Sequence, residues 1–542
     1  MSRVFQLAFL LLSLAVCLST QHATRDAQTV LAAGPPHRNV TKSIAIVGAG
    51  SGGLAILKTL LDLPEEVRSS WEFALYEQHR DVGGLWLPDP NPPHPPALPE
   101  TPLYPRLRTN TPHPTMTYPG FTFRPGTPLF PSHNYVQQYH ADFAQQFNLS
   151  PYIHLNHTVL AAGWRGNNTH GEWVIDVEYD VGTKVLRRSF DHLIVANGHN
   201  HYPRIPHWPG EEDWLANSPP GFPQREILHS IFYRNPERYA NQTVVIVGGG
   251  ASGRDAALQI GPLAKTYQSL REGSVPPDGA QVTVKPPISH FTNTSVVFED
   301  GTSLTSVDSL VLATGYEFRV PFLSQSPPES GIDFPVLEVA PSTTANSTTA
   351  QVLTSNLRYI FPLYEHIFSL SPAHPPTALA FVGLPVLIAN CPSDRAQALL
   401  VAHAIADPTI LPSRDGMFTA LLRREDNMRQ RGYDPYVYGH KMVGGDTEAQ
   451  DYQNALVRYL KQHGKLPDDG KDYVESWRKA SRVQSALLAR GWTRIESEGE
   501  QQKWLEGVET EDEWADLMQR LAAWQEEWEN EHGQGLDEYA AV

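Results

Sequence analysis

The sequence predicts an α/β fold that contains two similar strand–turn–helix units, and three observations support this prediction. The apolar residues 44–47 lead directly into the glycine-rich residues 48–53. About two hundred residues later, the apolar residues 244–247 lead into the glycine-rich residues 248–253. With 542 residues, the chain is long enough for several domains, each with its own core.

Both turns have the spacing Gly-x-Gly-x-x-Gly, which is typical of a dinucleotide cradle. The first glycine makes the sharp turn, and the second lets the backbone approach the diphosphate. The third lets the helix pack closely on the strand, so that the helix N-terminus faces the negative charge. Two cradles imply two dinucleotides, and two dinucleotides in one chain indicate an enzyme that passes electrons between them.

Glu77 is expected at the end of the second strand of the first unit, after residues 73–76. A carboxylate at this position accepts hydrogen bonds from ribose hydroxyls and repels a 2′-phosphate, which favours FAD. A surface glutamate is the alternative.

The second unit has Ser269 and Arg271 in the corresponding place. A guanidinium binds phosphate with two parallel hydrogen bonds, which suits the 2′-phosphate of NADP. An arginine that only contacts solvent is the alternative.

The charge and the cysteine content exclude two classes of function. The net charge of −17 argues against a nucleic-acid partner. Residues 495–542 hold fifteen acidic and two basic residues, so much of this charge lies in the tail. The only cysteines are Cys17 and Cys391, which argues against a reductase with a redox-active cysteine pair. We expect Cys391 to be a buried structural thiol, and the scattered histidines give no convincing metal site.

Residues 1–20 have the pattern of a cleaved signal peptide, because Arg3 precedes an apolar run too short to span a bilayer easily. A membrane anchor is the alternative. Seven Asn-x-Ser/Thr triplets agree with entry into the secretory pathway: Asn39, Asn148, Asn156, Asn167, Asn241, Asn293 and Asn346. We therefore expect an N-glycosylated protein that is secreted or resides in the endoplasmic reticulum lumen. No firm membrane anchor is predicted, and the oligomeric state is left open.

Two further segments are predicted to be ordered. Residues 88–131 contain fifteen prolines but also many aromatic residues, which favours an ordered loop wrapped over the protein. In the tail, Trp514, Leu517, Leu521, Trp524 and Trp528 recur at helical spacing, which predicts a helix packed on the main body. A helix that docks a partner is the alternative.

The chain resembles the flavin-containing monooxygenases, the class B flavoprotein monooxygenases, in order across residues 43–462. The matching segments begin with the first glycine turn and the segment from Tyr76 to Trp86, which includes Gly83-Gly84-Leu85-Trp86. They continue with Leu107-Arg108-Thr109-Asn110-Thr111, Ala196-Asn197-Gly198-His199, the second glycine turn and Ala313-Thr314-Gly315-Tyr316. A last match is Ala380-Phe381-Val382-Gly383-Leu384.

The resemblance implies two Rossmann-like domains, with an NADP domain (216–312) inserted into a split FAD domain (43–215 and 313–470). A helical acidic extension (471–542) follows. It also implies that NADPH reduces FAD, that reduced flavin forms a C4a-hydroperoxide with O2, and that a nitrogen or sulfur of a small molecule takes one oxygen. Asn110 is the expected catalytic residue, with a turn asparagine as the alternative. The expected cofactor-binding residues are Gly48, Gly50, Ser51, Gly52, Gly53, Glu77, Gly84, Leu85, Trp86, Thr109, Asn110, Thr111, Gly248, Gly250, Ser252, Gly253, Arg254, Asp255, Ser269, Arg271, Thr314 and Gly315.

One motif departs from the family. In Phe-x-Gly-x-x-x-His-x-x-x-Phe/Tyr, His229 and Tyr233 match, whereas Pro223 and Arg225 replace the phenylalanine and the glycine. Related Baeyer–Villiger enzymes typically have tryptophan at the last position, so Tyr233 favours heteroatom oxidation. The alternatives are an NADPH oxidase, a Baeyer–Villiger-type oxygenase, and a flavin-binding protein without turnover.

Overall fold

A computed structural model describes residues 30–32, 40–180, 182–218, 224–324 and 353–532. The predicted signal peptide, the triplets at Asn39 and Asn346, and Pro223 lie outside these residues. Within them, no helix is long and apolar enough to cross a membrane.

The first unit is a mixed sheet of seven strands in the described part of the chain. The strand Lys42–Val47 lies between Trp71–Tyr76 and His192–Val195, and all three run parallel because connecting segments cross over the sheet. The remaining strands are Ile153–His154, Leu379–Phe381, Phe368–Ser369 and Leu363–Tyr364.

Two helices pack against each other over this sheet, Ser51–Leu61 and Asn390–Ala406. Leu54, Leu57 and Leu60 of the first helix are fully buried, so apolar side chains around the helix make up much of the core. The second helix begins at Asn390, and Pro392 lies in its first turn. Proline fits there because N–H groups in the first turn of a helix have no acceptor within the helix, so the missing N–H costs no hydrogen bond.

The second unit is a fully parallel sheet of five strands among the described residues. Its order is Glu226–His229, Ser309–Leu312, Thr243–Val247, Lys265–Ser269 and Val282–Lys285. The helix Ala251–Ile260 follows the central strand directly after the second glycine turn. A small antiparallel sheet, Ile288–Phe291, Val296–Phe298 and Ser303–Leu304, is built into this unit.

The second unit interrupts the first in sequence but not in space. The strand Leu379–Phe381 comes after the second unit in sequence, yet it pairs with His192–Val195, which comes before it. The predicted α/β fold, with one Rossmann-like unit inserted into the other, is therefore confirmed. Trp208 and Trp214 (helix Glu211–Ala216) pack in the core of the second unit, on Phe291 and its neighbours.

An antiparallel sheet covers one side of the first unit. Its strands are Thr158–Gly166, Gly171–Tyr179 and Lys184–Phe190, with Val30–Ala32 added in parallel at its edge. Along Gly171–Tyr179 the side chains alternate between buried and more exposed, as a strand with one covered face requires. The buried Trp173 joins this sheet to the first unit by donating a hydrogen bond to the Ala378 carbonyl at 2.7 Å.

The C-terminal helices, as we call residues 476–532, form a layer whose apolar core also includes Leu129 and Phe130 of the main body. They are Ser476–Val483, Ser485–Glu498, Gln501–Leu505 and Glu511–His532. The predicted tail helix packed on the main body is thus confirmed. The other helices of the described residues are Glu65–Arg68, His133–Gln146, Pro321–Ser324, Arg414–Gln430, Pro435–Tyr438 and Glu448–Gln462, and two short strand pairs are Tyr202–Pro203 with Tyr316–Glu317 and Thr354–Ser355 with Ile360–Phe361.

Candidate active site: two glycine turns and the loop between them

The first glycine turn depends on close backbone contacts that only glycine permits. Gly48 has a φ of +103°, and a Cβ on it would lie 2.4 Å from the Ala196 carbonyl oxygen. A Cβ on Gly53 would lie 1.8 Å from the Gly48 carbonyl oxygen. The helix Ser51–Leu61 can therefore start directly on the end of the strand, with its N-terminal amides at the turn.

Glu77 follows the neighbouring strand and is only 5% exposed. Its Oε2 accepts the Ala49 N–H at 2.6 Å, and its Oε1 accepts the His79 N–H at 2.9 Å. A carboxylate has about four acceptor positions, so each oxygen keeps capacity for a ribose hydroxyl. The carboxylate is thus fixed beside the turn, where the sequence predicts it.

The segment after Glu77 lies over the same turn. Gly83 donates its N–H to the Ala49 carbonyl at 3.0 Å, and a Cβ on Gly84 would lie 2.9 Å from the Gly50 Cα. Leu85 and Trp86 continue in the short helical turn Gly84–Trp86. Two backbones thus approach each other at Gly50 and Gly84 without side chains between them.

The second glycine turn repeats the geometry of the first. Gly248 has a φ of +114°, and a Cβ on it would lie 2.5 Å from the Ala313 carbonyl oxygen. A Cβ on Gly253 would lie 2.2 Å from the Gly248 carbonyl oxygen, whereas one on Gly250 would meet nothing within 4 Å. The fully buried Gln268 donates to the Gly248 carbonyl at 3.0 Å and fixes the turn.

Ser269 and Arg271 lie at the end of the next strand, but they differ in their surroundings. The Ser269 hydroxyl is buried and donates to the Pro286 carbonyl at 2.9 Å. Arg271 is exposed, and its charge acts on Arg204 and Lys441. Burial, followed by the charge of Arg358 and with a contribution from Arg271, lowers the pKa of Arg204 to about 10.

This group of Arg204, Arg271, Arg358 and Lys441 was not predicted from the sequence. Its members come from four separate segments, and Arg204 Nη2 reaches the Leu357 carbonyl at 3.4 Å, beside Arg358. A Cβ on Gly439 would lie 2.3 Å from the Arg358 carbonyl oxygen, so the segment that carries Lys441 lies against Arg358. These positive charges, opposed in part by Glu317 beside Arg204, favour an anion in this region.

Thr314 and Gly315 follow the strand Ser309–Leu312 and contact Arg204 and His229. The Thr314 hydroxyl donates to the Arg204 carbonyl at 2.5 Å, and the Gly315 carbonyl lies 3.0 Å from His229 Nε2. His229 Nδ1 accepts the Ile231 N–H, so Nε2 carries the proton in the neutral ring and donates to Gly315. Burial lowers the pKa of His229 to about 4, in agreement with a neutral ring.

Arg225 explains the departure from the family motif. Its side chain is 4% exposed and donates to the carbonyl oxygens of Trp214 at 3.0 Å, Asn293 at 2.8 Å and Thr294 at 3.3 Å. The arginine therefore ties the helix Glu211–Ala216 to the small antiparallel sheet of the second unit. Tyr233 is also buried, and its hydroxyl donates to Gln259 Oε1 at 2.9 Å.

The Asn110 segment, as we call residues 101–131, touches both units. The Tyr104 hydroxyl donates to the Asp255 carboxylate, on the helix after the second glycine turn. The Tyr118 hydroxyl donates to the Ser51 carbonyl at 2.7 Å, at the first glycine turn. Asn110 lies between these two anchors in sequence and is exposed. The expected order of the proline-rich loop is confirmed, since Tyr104, Tyr118, Phe121, Phe123 and Phe130 are all buried.

Through its hydrogen bond with Tyr104, the Asp255 carboxylate therefore joins the helix Ala251–Ile260 to the Asn110 segment. Burial raises its pKa, and the hydrogen bond from Tyr104 opposes this shift. Gly52 lies in the first turn of the helix Ser51–Leu61, whereas Ser252 and Arg254 lie in the first turn of the helix Ala251–Ile260. A Cβ on Gly52 would lie 3.3 Å from the Val382 side chain.

Sequence reasoning missed Asp394, which lies at the first turn, and Gln397 of the same helix. Asp394 is 3% exposed and is hydrogen-bonded to Ser51; burial raises its pKa to about 7, and the Ser51 hydrogen bond opposes the shift. Gln397 Oε1 accepts the Gly383 N–H at 2.9 Å, and its Nε2 donates to the Tyr452 hydroxyl at 2.8 Å. Asp394 thus reaches the turn from a helix more than 300 positions away in the chain.

The residues present fit FAD at the first turn and NADP at the second. At the first, the Gly50 and Gly84 backbones lie together with no side chain between them, and the buried Thr109 hydroxyl has no hydrogen-bond partner among the described residues. At the second, a Cβ on Gly250 would extend into open space, and Arg271 with its three cationic neighbours offers charge for a phosphate. Cys391 is buried, as expected, and burial raises the pKa of its thiol, which opposes nucleophilic reactivity. Among the described residues, no three His, Cys, Asp or Glu side chains are grouped to hold a metal.

Comparison with known proteins gives matches along most of the chain. The model of the Flavin-binding monooxygenase-like family matches residues 41–275 and 279–335. The flavin-containing monooxygenase FMO GS-OX-like 8 of Arabidopsis thaliana is 28% identical over 482 residues, which cover 83% of this chain and 90% of that protein. The flavin-containing monooxygenase FMO GS-OX-like 4 from the same organism is 29% identical over 397 residues, covering 69% of this chain and 78% of that protein.

Two solved structures share the fold. The S-allyl-L-cysteine S-oxygenase from Allium sativum superposes with a TM-score of 0.64 at 24% identity, covering 91% of this chain and 99% of that one. Tmm from Pelagibacter sp. strain HTCC7211 superposes with a TM-score of 0.61 at 20% identity, covering 83% of this chain and 91% of that one. With two glycine turns of the required geometry and a family match over more than half its length, this chain belongs to the flavin-binding monooxygenase-like family of oxidoreductases, whose cofactors, FAD and NADP, are those of this protein.

Proposed function

We propose that this protein is an NADPH-dependent monooxygenase of the N,N-dimethylaniline monooxygenase type, which transfers one atom of O2 to a nucleophilic nitrogen or sulfur of a small molecule. The observation that carries the proposal is the placement of Asn110 on a segment anchored at both glycine turns. A residue so placed can contact both cofactors and the reacting oxygen at once.

The reaction balances with the partners that the proposal names. One oxygen atom goes to the substrate and the other leaves as water. Two electrons come from NADPH and two from the lone pair of the substrate nitrogen or sulfur. Bound FAD supplies the redox chemistry that links NADPH to O2.

The residues of this chain bind the two cofactors, orient the reacting groups and shield them from water. The amides after Gly50 and Gly250 face the two diphosphates, and Glu77 accepts from the FAD ribose. Arg271 binds the 2′-phosphate of NADP. The Asn110 side chain orients the nicotinamide ribose or the oxygen-bearing part of the flavin. The aromatic residues of the Asn110 segment exclude water from this region.

The test uses purified holoenzyme, NADPH and ¹⁸O₂ with three separate probes: methyl phenyl sulfide, N,N-dimethylaniline and cyclohexanone. We expect the sulfoxide, the N-oxide or both to carry one ¹⁸O atom by mass spectrometry. A lactone from cyclohexanone without heteroatom products would favour the Baeyer–Villiger alternative. Hydrogen peroxide as the only product of O2 would favour the NADPH oxidase and contradict the proposal.

We also propose that the protein enters the secretory pathway and is N-glycosylated. In support, all five acceptor asparagines in the described residues are exposed: Asn148, Asn156, Asn167, Asn241 and Asn293. Treatment with a peptide N-glycosidase after expression in the native cell type should lower the apparent mass, and fractionation should recover the protein with luminal or secreted markers. Unglycosylated protein in the cytosol would overturn this proposal.

A further inference from the structure

We propose that the C-terminal helices are a positioning module that holds the Asn110 segment in its working conformation, with Arg108, Glu496 and Arg478 as positioning residues. This inference rests on the proposed function of Asn110. The family match ends at residue 335, so these helices lie outside the part that assigns the family.

The Asn110 segment folds back on itself in two layers. Thr109 donates its N–H to the Pro131 carbonyl at 2.9 Å, and His113 donates its N–H to the Leu129 carbonyl at 2.9 Å. The inner layer, residues 107–113, carries Asn110, and the outer layer is residues 129–131. Any displacement of the outer layer therefore moves the backbone on both sides of Asn110.

The C-terminal helices pack on the outer layer. Leu129 is fully buried and Phe130 is 7% exposed, and both belong to the same apolar core as Trp492, Leu517 and Leu521 of the helices. The His113 ring lies 4.5 Å from that of Trp514 and 4.7 Å from that of Phe123, measured between centroids. The outer layer thus has no apolar core of its own and shares that of the helices.

A bidentate ion pair joins the helices to the inner layer itself. The Arg108 guanidinium donates to Glu496 Oε2 at 2.7 Å and to Oε1 at 2.6 Å, and Trp492 Nε1 donates to the same Oε1 at 2.9 Å. The Arg108 side chain is 46% exposed and that of Glu496 is 21% exposed. Arg108 stands two residues before Asn110, so this pair fixes the direction in which the chain enters that residue.

Arg478 makes a second, buried connection. Its side chain is 5% exposed and donates to the Pro114 carbonyl and to the Thr117 hydroxyl at 3.1 Å, both in the Asn110 segment. It also donates to Glu475 at 2.8 Å and to Glu511 at 2.9 Å, so it joins the segment to two of the C-terminal helices. The segment is therefore held on both sides of Asn110, at Arg108 and at residues 114–117.

Hydrogen exchange of the holoenzyme, followed by mass spectrometry, tests this proposal on the amides of Thr109 and His113. In Glu496→Gln, which weakens the bidentate pair, we expect these amides to exchange about threefold to tenfold faster than in the wild type. The double variant Arg108→Glu with Glu496→Arg, which restores an ion pair of reversed polarity, should recover most of the protection. Wild-type exchange in Glu496→Gln would overturn the proposal.

Glu529→Gln is the matched control. Glu529 is bound by Arg490 in the same bidentate way, at 2.7 and 2.9 Å, but the pair joins two C-terminal helices to each other. We expect faster exchange within residues 485–532 and unchanged exchange at Thr109 and His113. An equal effect of both variants on the Asn110 segment would mean general destabilisation and would contradict a positioning role for Glu496.

The coupling of NADPH oxidation to product separates positioning from the proposed function. In Glu496→Gln we expect the fraction of NADPH that yields oxygenated product to fall at least twofold, with a matching rise in hydrogen peroxide. Faster exchange with unchanged coupling would contradict the positioning role. If the wild type forms no oxygenated product, the proposed function fails, whereas the exchange data still decide whether the helices hold the segment.

Discussion

The carboxylate of Glu77 accepts the backbone N–H of Ala49 at 2.6 Å, inside the first glycine turn. Because its other oxygen accepts the His79 N–H, both oxygens are needed to satisfy buried donors. Glutamine has only one acceptor oxygen and would place an N–H against one of these donors.

For Glu77→Gln we therefore expect at least about tenfold weaker FAD binding, since a buried unsatisfied donor costs about 1–3 kcal/mol. Fluorescence titration of the deflavinated protein with FAD measures this. Glu72→Gln on the same strand is the control, because Glu72 pairs with Arg188 away from the turn. Equal FAD affinity in Glu77→Gln and the wild type would rule out the predicted role of Glu77.

Alanine substitutions in the second glycine turn should separate folding from nucleotide binding. In Gly253→Ala the new Cβ would lie 2.2 Å from the Gly248 carbonyl oxygen, so we expect a loss of stability of about 3 kcal/mol or more. In Gly250→Ala the Cβ meets no protein atom within 4 Å, so the melting temperature should stay close to that of the wild type.

The same Cβ of Gly250→Ala would occupy the space that the NADP diphosphate needs. Calorimetry should show at least about tenfold weaker NADP⁺ binding with unchanged FAD content. If Gly250→Ala bound NADP⁺ like the wild type, the diphosphate would not lie at this turn.

Arg271→Ala should discriminate between the two nicotinamide cofactors. We expect NADPH binding to weaken by about ten- to a hundredfold, because a hydrogen-bonded charge pair contributes about 1.5–3 kcal/mol, and NADH binding to change little. Lys265→Ala, at the start of the same strand, is exposed and serves as the control. A similar loss for NADPH and NADH would remove Arg271 from the phosphate site.

Asp394 should make stability depend on pH. Burial raises its pKa from 3.8 to about 7, so the folded protein disfavours the charged form and binds more protons than the unfolded chain. Stability should therefore fall as the pH rises from about 4 to about 7, and Asp394→Asn should lack this fall. Between about pH 5 and pH 8, the free energy of unfolding should fall by on the order of 3 kcal/mol.

The measurement compares melting temperatures of Asp394→Asn and the wild type at the two ends of this range. The melting temperature of the variant should rise by several degrees relative to that of the wild type as the pH rises, because only the wild type must ionise a buried carboxyl. A difference between the two proteins that is the same at both pH values would show that Asp394 does not titrate in this range.

The sequence predicted those parts of the site that are local in the chain. Each glycine turn follows its own strand directly, and Glu77 follows a strand adjacent to the first, so spacing alone was sufficient to place them. The resemblance to the family added Asn110, and its segment reaches both turns in the structure.

The residues that sequence reasoning missed depend on contacts between distant segments. Asp394 reaches the first turn from a helix, and Arg204, Arg358 and Lys441 meet Arg271 only after both units have packed together. Arg225 replaces the glycine of the family motif, and its three hydrogen bonds to carbonyl oxygens show a local structural role in the second unit. Contacts of this kind cannot be predicted from the periodicity or the spacing of residues in a single sequence.

We infer that the two nucleotide sites are arranged so that NADPH can reduce the bound flavin. The most direct measurement is the anaerobic bleaching of flavin absorbance in purified holoenzyme by NADPH and by NADH, in the wild type and in Gly250→Ala. We expect rapid bleaching of the wild type by NADPH, much slower bleaching by NADH, and slow bleaching of Gly250→Ala by NADPH at the same concentration. A wild-type protein with a full complement of FAD that neither nucleotide reduces would contradict this inference.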